Sequence, residues 1–111
     1  EAVAEVDFKR LPGPLRLALA EKPPFSSQRN FGAATLEWCY VAAGRFNLYL
    51  HGGQKLWDYA AGSLILSEAG GQMATFNSDD FWSGDTWKRS VIASLQPSLF
   101  AEWKTWVRAR L

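Results

Sequence analysis

LWDYAAGSLILSEAGG, residues 56–71, has the spacing of an amphipathic helix followed by a glycine stop. Its apolar residues recur at steps of three and four and predict one buried stripe, made of Trp57, Ala60, Ala61, Leu64, Ile65 and Ala69. Gly70 and Gly71 offer the left-handed conformation that ends a helix. Asp58 therefore lies in the first turn, where backbone N–H groups and the helix dipole keep its carboxylate ionised. The spacing leaves two roles open for Asp58: helix capping, and metal ligation or catalysis.

A second helix is predicted over residues 32–43, ended by Gly44. Its spacing places four apolar residues on one face, namely Leu36, Cys39, Tyr40 and Ala43. The helix starts with the small residues Gly32, Ala33 and Ala34, which leave backbone N–H groups uncovered by side chains. Such a start can hold a hydroxyl or an anion, or it can simply allow close packing.

Between these helices, residues 46–51 alternate as a strand with one face in the core. The apolar members of the alternation are Phe46, Leu48 and Leu50. Gly52 and Gly53 are predicted to turn the chain back toward the helix that carries Asp58. His51 closes the strand near that helix, so it is either a polar surface residue or a site residue.

The rest of the chain completes an α/β pattern in a single domain, with a layered mixed sheet and packed helices. Residues 1–31 are predicted as an irregular and helical lead-in, with a short strand near 3–8 and a helix near 15–22, and residues 32–111 as the α/β core. Strands are predicted at 72–76 and 89–95. A last helix begins at Pro97 and buries Leu99, Phe100, Trp103, Trp106 and Val107. The loop acids Asp79, Asp80 and Asp85 lack calcium-loop spacing and are interpreted as solvated.

Composition restricts the classes of partner. The net charge of +1 provides no basic field, so the six tryptophans and seven phenylalanines indicate core packing rather than nucleic-acid stacking. No run has the length of a membrane span. A single cysteine, Cys39, excludes a disulfide framework and fits a reducing, cytoplasmic compartment. The chain opens on Glu1, which is consistent with a piece of a longer protein.

Four short motifs follow one another along the chain: Gly32-Ala33-Ala34, the helix end Val41-Ala42-Ala43-Gly44, Trp57-Asp58 and Glu68-Ala69-Gly70-Gly71. In this order they resemble the C-terminal half of the inositol monophosphatase family. That family comprises Mg²⁺-dependent phosphomonoesterases built of alternating α and β layers. The resemblance implies that Asp58 is a ligand of the second Mg²⁺, and that Gly32, Ala33 and Ala34 contact the substrate, largely through the backbone. His51 aligns where inositol-specific members have a substrate-binding glutamate. The substrate is therefore left open among polyol phosphates, sugar phosphates and nucleotide-like bisphosphates.

The other metal ligands of the family, a glutamate pair and a D-P-(I/L)-D-G-T motif, have no counterpart in these 111 residues. The resemblance thus implies the C-terminal part of a phosphatase that needs its missing N-terminal half. We expect the chain alone to be inactive and, because a half-enzyme exposes apolar surface, to form a homo-oligomer. The alternative is a non-catalytic binding or interaction module on the same scaffold.

Overall fold

The computed structural model describes residues 2–8, 10–30, 32–83 and 87–111. Its strands are β1 (Val3–Asp7), β2 (Ser27–Arg29), β3 (Leu48–Lys55), β4 (Gln72–Ala74) and β5 (Lys88–Ser94). Its helices are α1 (Gly13–Glu21), α2 (Ala34–Ala42), α3 (Leu56–Glu68) and α4 (Pro97–Arg108). None of the described helices is both long and apolar enough to cross a lipid bilayer.

The strands form one mixed sheet in the order β2-β1-β3-β5-β4. Strand β1 is parallel to β2 and β3, whereas β5 is antiparallel to β3 and β4. The predicted α/β fold with a mixed sheet is confirmed. The predicted boundary at residue 31 does not separate a lead-in from a core, because β1 lies inside the sheet between β2 and β3.

Each face of the sheet carries two helices, because successive side chains of a strand point to opposite faces. One core packs the sheet against α1 and α4, with Val6, Leu50 and Ile92 meeting Leu15 and Trp103. The other core packs the sheet against α2 and α3 and contains Tyr49, Val91, Trp38, Tyr59 and Leu66. The Trp103 indole Nε1–H donates to the carbonyl oxygen of Tyr49 at 3.0 Å, which ties α4 to the central strand.

Helix α3 turns the opposite face inward from the one that its spacing predicts. Its buried residues are Tyr59, Gly62, Ser63 and Leu66. The predicted stripe is wrong: Trp57, Leu64 and Ile65 are 67%, 58% and 42% exposed. The reason is the close approach of α2 at Gly62, where an added Cβ would lie 2.3 Å from Cγ of Trp38. A glycine in that position lets the larger aromatic surface of Trp38 and Tyr59 enter the core.

Helix α2 also buries a different face from the one that its spacing predicts. It buries Glu37, Trp38 and Val41, while Leu36 and Ala43 of the predicted face are exposed and Cys39 is half-buried. The predicted face of α2 is therefore wrong, because a fully buried tryptophan outweighs smaller apolar groups in apolar area removed from water. Helix α4 turns the predicted face inward: Phe100, Trp103 and Val107 are buried, whereas Leu99 and Trp106 are half-buried against the same core.

Strand β3 does not turn at Gly52 and Gly53. It continues to Lys55, with a shift of its register against β5 between His51 and Gln54. The predicted turn is wrong because the glycines serve a close packing contact: a Cβ on Gly52 would lie 2.2 Å from the carbonyl oxygen of Arg10. The extra strand residues bring Gln54 into the core and place Lys55 directly before α3.

The loop after β4 is held by its acids. Asp79 is exposed, yet it accepts hydrogen bonds from Lys104 Nζ at 3.1 Å and Arg108 Nη1 at 2.6 Å. Asp80 Oδ1 accepts from the backbone N–H of Trp82 at 3.0 Å. Asp79 therefore links the loop to α4, and Asp80 makes a hydrogen bond within the loop. The prediction that these two acids are only solvated is incomplete. Asp85 lies outside the described residues.

Candidate functional site

The site predicted from the sequence lies at the carboxyl edge of the parallel strands. Strands β1, β2 and β3 run the same way and end at Asp7, Arg29 and Lys55. Helices α2 and α3 begin at this edge, shortly after β2 and β3. Ligands of open α/β sheets bind in the crevice outside such an edge. All five predicted residues belong to these segments, with Gly32, Ala33 and Ala34 at the start of α2, His51 in β3 and Asp58 in α3.

Asp58 lies in the first turn of α3, as predicted, and is half-buried. Its Oδ2 atom accepts a hydrogen bond from the backbone N–H of Lys55 at 3.2 Å. This bond satisfies one of the donors that a helix start leaves without an intrahelical partner. Asp58 therefore performs the capping role, and its carboxylate is close enough to His51 to act on the pKa of that ring.

His51 is buried and is hydrogen-bonded through both ring nitrogens. Its Nδ1 accepts from the backbone N–H of Gly53 at 3.1 Å, and its Nε2 lies 3.2 Å from Oδ2 of Asp7. Because Nδ1 is an acceptor, the proton of the neutral ring is on Nε2, which donates to Asp7. Burial lowers the pKa of His51; Asp7, Glu37 and Asp58 oppose that shift, and Arg10 adds to it. The ring is a neutral donor to Asp7.

This arrangement makes stability depend on pH. The pKa of His51 is lowered in the folded chain, whereas the unfolded chain has the ordinary value of about 6.5, so below about pH 6.5 the unfolded state binds more protons. We expect the free energy of unfolding to fall as the pH drops from about 8 to about 5, and to fall less in His51→Gln. Urea unfolding at several pH values measures both slopes. Equal slopes in the two proteins would contradict the buried neutral state of His51, the one histidine of the chain.

A buried chain of hydrogen bonds, which the sequence reasoning missed, holds the start of α2. Trp38 Nε1–H donates to Gln54 Oε1 at 2.7 Å, and the Gln54 amide donates to the Tyr49 hydroxyl. That hydroxyl donates to Glu37 Oε1 at 3.0 Å, and Glu37 Oε2 accepts the backbone N–H of Gly32 at 3.1 Å. Burial, and then the Glu37 carboxylate, raise the pKa of Tyr49, so its hydroxyl keeps the proton that it donates. The periodicity of the sequence gives no signal for these hydrogen bonds, because they form only when β3 extends beyond Gly53.

The start of α2 is exposed at Gly32 and Ala33 and half-buried at Ala34. Gly32 has a φ of +70°, which explains the glycine at this point. Its N–H is bonded within the chain, to Glu37 and to Oδ1 of Asn30 at 3.0 Å. A substrate contact through the backbone of this segment would therefore rest on Ala33 and Ala34, while Gly32 shapes the turn.

Asp58 supplies one carboxylate, which is less than a magnesium ion needs. Mg²⁺ takes octahedral oxygen coordination, with carboxylates, phosphates and water as its usual ligands. Within residues 2–8, 10–30, 32–83 and 87–111, no three His, Cys, Asp or Glu side chains are grouped so that they could hold a metal ion. The described residues thus fit one ligand of a Mg²⁺ site and do not form a complete one. These residues can donate and accept hydrogen bonds and can offer carboxylate oxygens to a ligand.

Comparison with known proteins identifies relatives of this chain. Nus factor SuhB of Pasteurella multocida is 38% identical over 84 residues, which are 68% of this chain and 32% of that protein. Inositol-1-monophosphatase of Caulobacter vibrioides is 44% identical over 52 residues, 47% of this chain and 20% of that protein.

Solved structures share the fold. The extragenic suppressor protein suhB from Bartonella henselae has a TM-score of 0.77 and 28% identity, covering 100% of this chain and 43% of that one. Inositol monophosphatase-II from Staphylococcus aureus has a TM-score of 0.78 at 22% identity, covering 95% of this chain and 39% of that one. The chain therefore spans less than half the length of these relatives.

The match to the family extends over nearly the whole chain. Residues 6–107 match the inositol monophosphatase family, and they include the carboxyl edge with His51, Asp58 and the start of α2. The chain belongs to the inositol monophosphatase family.

Proposed function

We propose that this chain is the C-terminal part of a Mg²⁺-dependent phosphatase that hydrolyses a phosphate monoester of a polyol, a sugar or a nucleotide-like compound. The observation that supports the proposal is the meeting of Asp58, His51 and the start of α2 at one edge of the sheet, in a chain of this family. Asp58 would be one of the ligands that hold Mg²⁺ in such a site, and the bound ion would supply polarisation of phosphoryl oxygens and a lowered pKa of bound water.

The contribution of this chain is one side of that site. Asp58 provides one carboxylate ligand, held by its bond to the Lys55 N–H. Ala33 and Ala34 offer backbone N–H groups to the substrate, and Glu37 maintains the turn at Gly32 that presents them. The remaining metal ligands would come from the part of the longer protein that precedes this chain, and the chain alone is inactive.

The α3 apolar face, defined as Trp57, Ala60, Ala61, Leu64 and Ile65, supports the same proposal. A monomeric soluble protein rarely exposes so continuous an apolar stripe. The chain also spans less than half the length of its relatives, so the rest of the family fold is the occupant that we propose for this face. Without it, α3 carries an unpartnered apolar surface.

We expect the chain alone to self-associate through the α3 apolar face. Light scattering should give a mass above that of one chain and rising with concentration, because burial of Trp57, Leu64 and Ile65 is favourable by about 25 cal/mol per Å² of apolar surface. Leu64→Lys should shift the protein toward monomer, whereas Leu17→Lys, which changes an exposed leucine on α1, should not. A wild-type monomer at high concentration would contradict this expectation.

The catalytic proposal is tested with a chimera in which this chain replaces the matching C-terminal part of the Caulobacter inositol-1-monophosphatase. We expect the chimera to hydrolyse a phosphate monoester only with Mg²⁺, and Asp58→Asn to lower kcat/KM by more than about 100-fold, since even outer-shell partners of a metal cost 10- to 100-fold. Asp80→Asn, at an exposed loop, is the matched control and should keep activity.

Three results would count against the proposal. Mg²⁺-dependent hydrolysis by the isolated chain, lost in Asp58→Asn, would show that no other half is needed. Full activity of the Asp58→Asn chimera would show that Asp58 is not a ligand. A chimera that folds without hydrolysing any monoester would favour the second candidate, a non-catalytic binding module. That candidate is supported by the several relatives that are named Nus factor SuhB rather than phosphatase.

A further inference from the structure

We propose that a cavity beside the start of β5 binds a small organic phosphate that carries an apolar group, and that Lys88 binds its anionic end. The described lining of this cavity includes neither Asp58 nor His51 nor the start of α2. Binding there is therefore separate from the substrate site of the proposed phosphatase and does not depend on it.

The cavity lies on the side of the sheet that carries α1 and α4. Its volume of about 640 Å³ falls within the range of small-molecule sites, about 300–1,000 Å³. Its walls come from the loop after β4, from the start of β5 and from Pro12, the residue before α1. Phe76 of that loop packs against the core that contains α1 and α4. Helix α3, which carries Asp58, packs on the opposite face of the sheet.

The charged side chains of the lining are cationic. They belong to Lys88 and Arg89, and the described part of the lining contains no aspartate or glutamate. The Arg89 guanidinium is already bound, because it donates to the carbonyl oxygens of Phe81 and Trp82. Lys88 is exposed, and its ammonium group has no hydrogen bond or ion pair with the residues that the structure describes. Lys88 is therefore the cation that the cavity offers to a ligand.

Two neutral side chains add hydrogen-bond donors to this ammonium group. Ser90 Oγ accepts the backbone N–H of Phe76 at 2.8 Å, and its own proton has no acceptor among the described residues. Asn77 is exposed, and its side-chain amide makes no hydrogen bond within the same part of the chain. Together with Lys88 these residues supply a charged donor, a hydroxyl and an amide.

The loop that forms one wall is fixed by internal hydrogen bonds. Thr75 Oγ1 accepts the backbone N–H of Ser78 at 3.0 Å, and the Thr75 carbonyl oxygen accepts from Arg108 at 2.8 Å. Asp79 of this loop is paired with Lys104 and Arg108, so its negative charge is compensated next to the cavity. A wall that is ordered before binding lowers the entropic cost of holding a ligand.

These features together favour an organic phosphate. A phosphate group offers three acceptor oxygens, which matches three donors of which one is charged. The cavity also has apolar lining at Pro12, Phe76 and Leu111, and a phosphate ion alone would leave that part unfilled. A phosphate that carries an apolar group can fill both parts.

The experiment is an NMR titration of the chain with phenylphosphonate, in which a C–P bond replaces the ester that a phosphatase hydrolyses. No Mg²⁺ is added. We expect phenylphosphonate to shift the backbone amide signals of Asn77, Ser78, Lys88 and Ser90 and to leave that of Asp58 in place. Benzamide, a neutral aromatic compound of similar size, should shift these signals much less, because it has no anionic group for the ammonium.

Two lysine variants test the role of the charge. Lys88→Gln should weaken the affinity for phenylphosphonate by about 10- to 100-fold, the range for a hydrogen bond to a charged group. Lys22→Gln removes an exposed lysine at the other end of α1, so it is the matched control and should bind as the wild type does. Both lysines are exposed, and unchanged amide signals away from the cavity verify that the variants fold.

Four results would overturn the proposed site. They are no shift with phenylphosphonate, equal shifts with benzamide, shifts confined to Asp58 and the start of α2, and wild-type affinity in Lys88→Gln. The titration needs neither metal nor hydrolysis, so its failure would leave the phosphatase proposal, which the chimera tests, unchanged.

Discussion

Trp38→Ala is expected to lower the free energy of unfolding by about 3–5 kcal/mol, the range for truncating a large buried aromatic residue. The Trp38 side chain is fully buried and makes edge-to-face contacts with Tyr49 at 5.2 Å and Phe81 at 5.9 Å between ring centroids. Its removal also takes away the indole N–H that Gln54 Oε1 accepts. Both losses fall on the core between the sheet and the pair α2 and α3.

Urea unfolding followed by circular dichroism measures this effect, and two further variants separate its causes. Trp38→Phe keeps an aromatic ring but leaves Gln54 Oε1 without its donor, so the free energy of unfolding should fall by about 1–3 kcal/mol. Trp82→Ala removes a tryptophan that is exposed on the loop and should change stability by less than about 1 kcal/mol. A loss in Trp38→Ala as small as that of Trp82→Ala would contradict the packing described above.

Gly62→Ala is expected to destabilise the chain by about 1–3 kcal/mol, although alanine is the better helix former by about 1 kcal/mol. The new Cβ would lie 2.3 Å from Cγ and 2.5 Å from Cδ1 of Trp38, at the base of a side chain that is fully buried. Relief therefore requires α2 and α3 to move apart, which loosens the core on that side of the sheet.

A double-mutant cycle tests the assignment of this clash to Trp38. In a Trp38→Ala background the Cγ and Cδ1 atoms are gone, and of the three close contacts only the one with Cβ, at 2.5 Å, remains. Gly62→Ala should therefore cost less than it does in the wild type, and the two changes should be non-additive by about 0.5–3 kcal/mol. Strict additivity would mean that Gly62 is required for a reason other than its contacts with Cγ and Cδ1 of Trp38. The free energies come from the same urea unfolding experiments.

The pattern of the sequence was sufficient for the elements and for the family. Helix α4 was predicted with its buried face because its apolar stripe is opposed by a polar one, including Lys104 and Arg108. The motifs around Gly32, Trp57 and Glu68 indicated the family that residues 6–107 match. Asp58 in the first turn of α3 also followed from spacing alone. Local periodicity, capping residues and short motifs determine such features, and all are readable along the chain.

Faces and contacts required the tertiary structure. Helices α2 and α3 carry apolar residues around much of their circumference. Periodicity therefore identified an apolar stripe that α3 does have, but it did not identify which side of the helix packs against the sheet. Gly62 and Trp38 decide it, because their fit brings the helices together. Long-range packing likewise extends β3 through Gly52 and Gly53 and joins His51 to Asp7 and Gly32 to Glu37. The sequence by itself determined the elements and the family; packing between distant segments decided the buried faces and the partners of the site residues, because those depend on atoms that meet only in the folded chain.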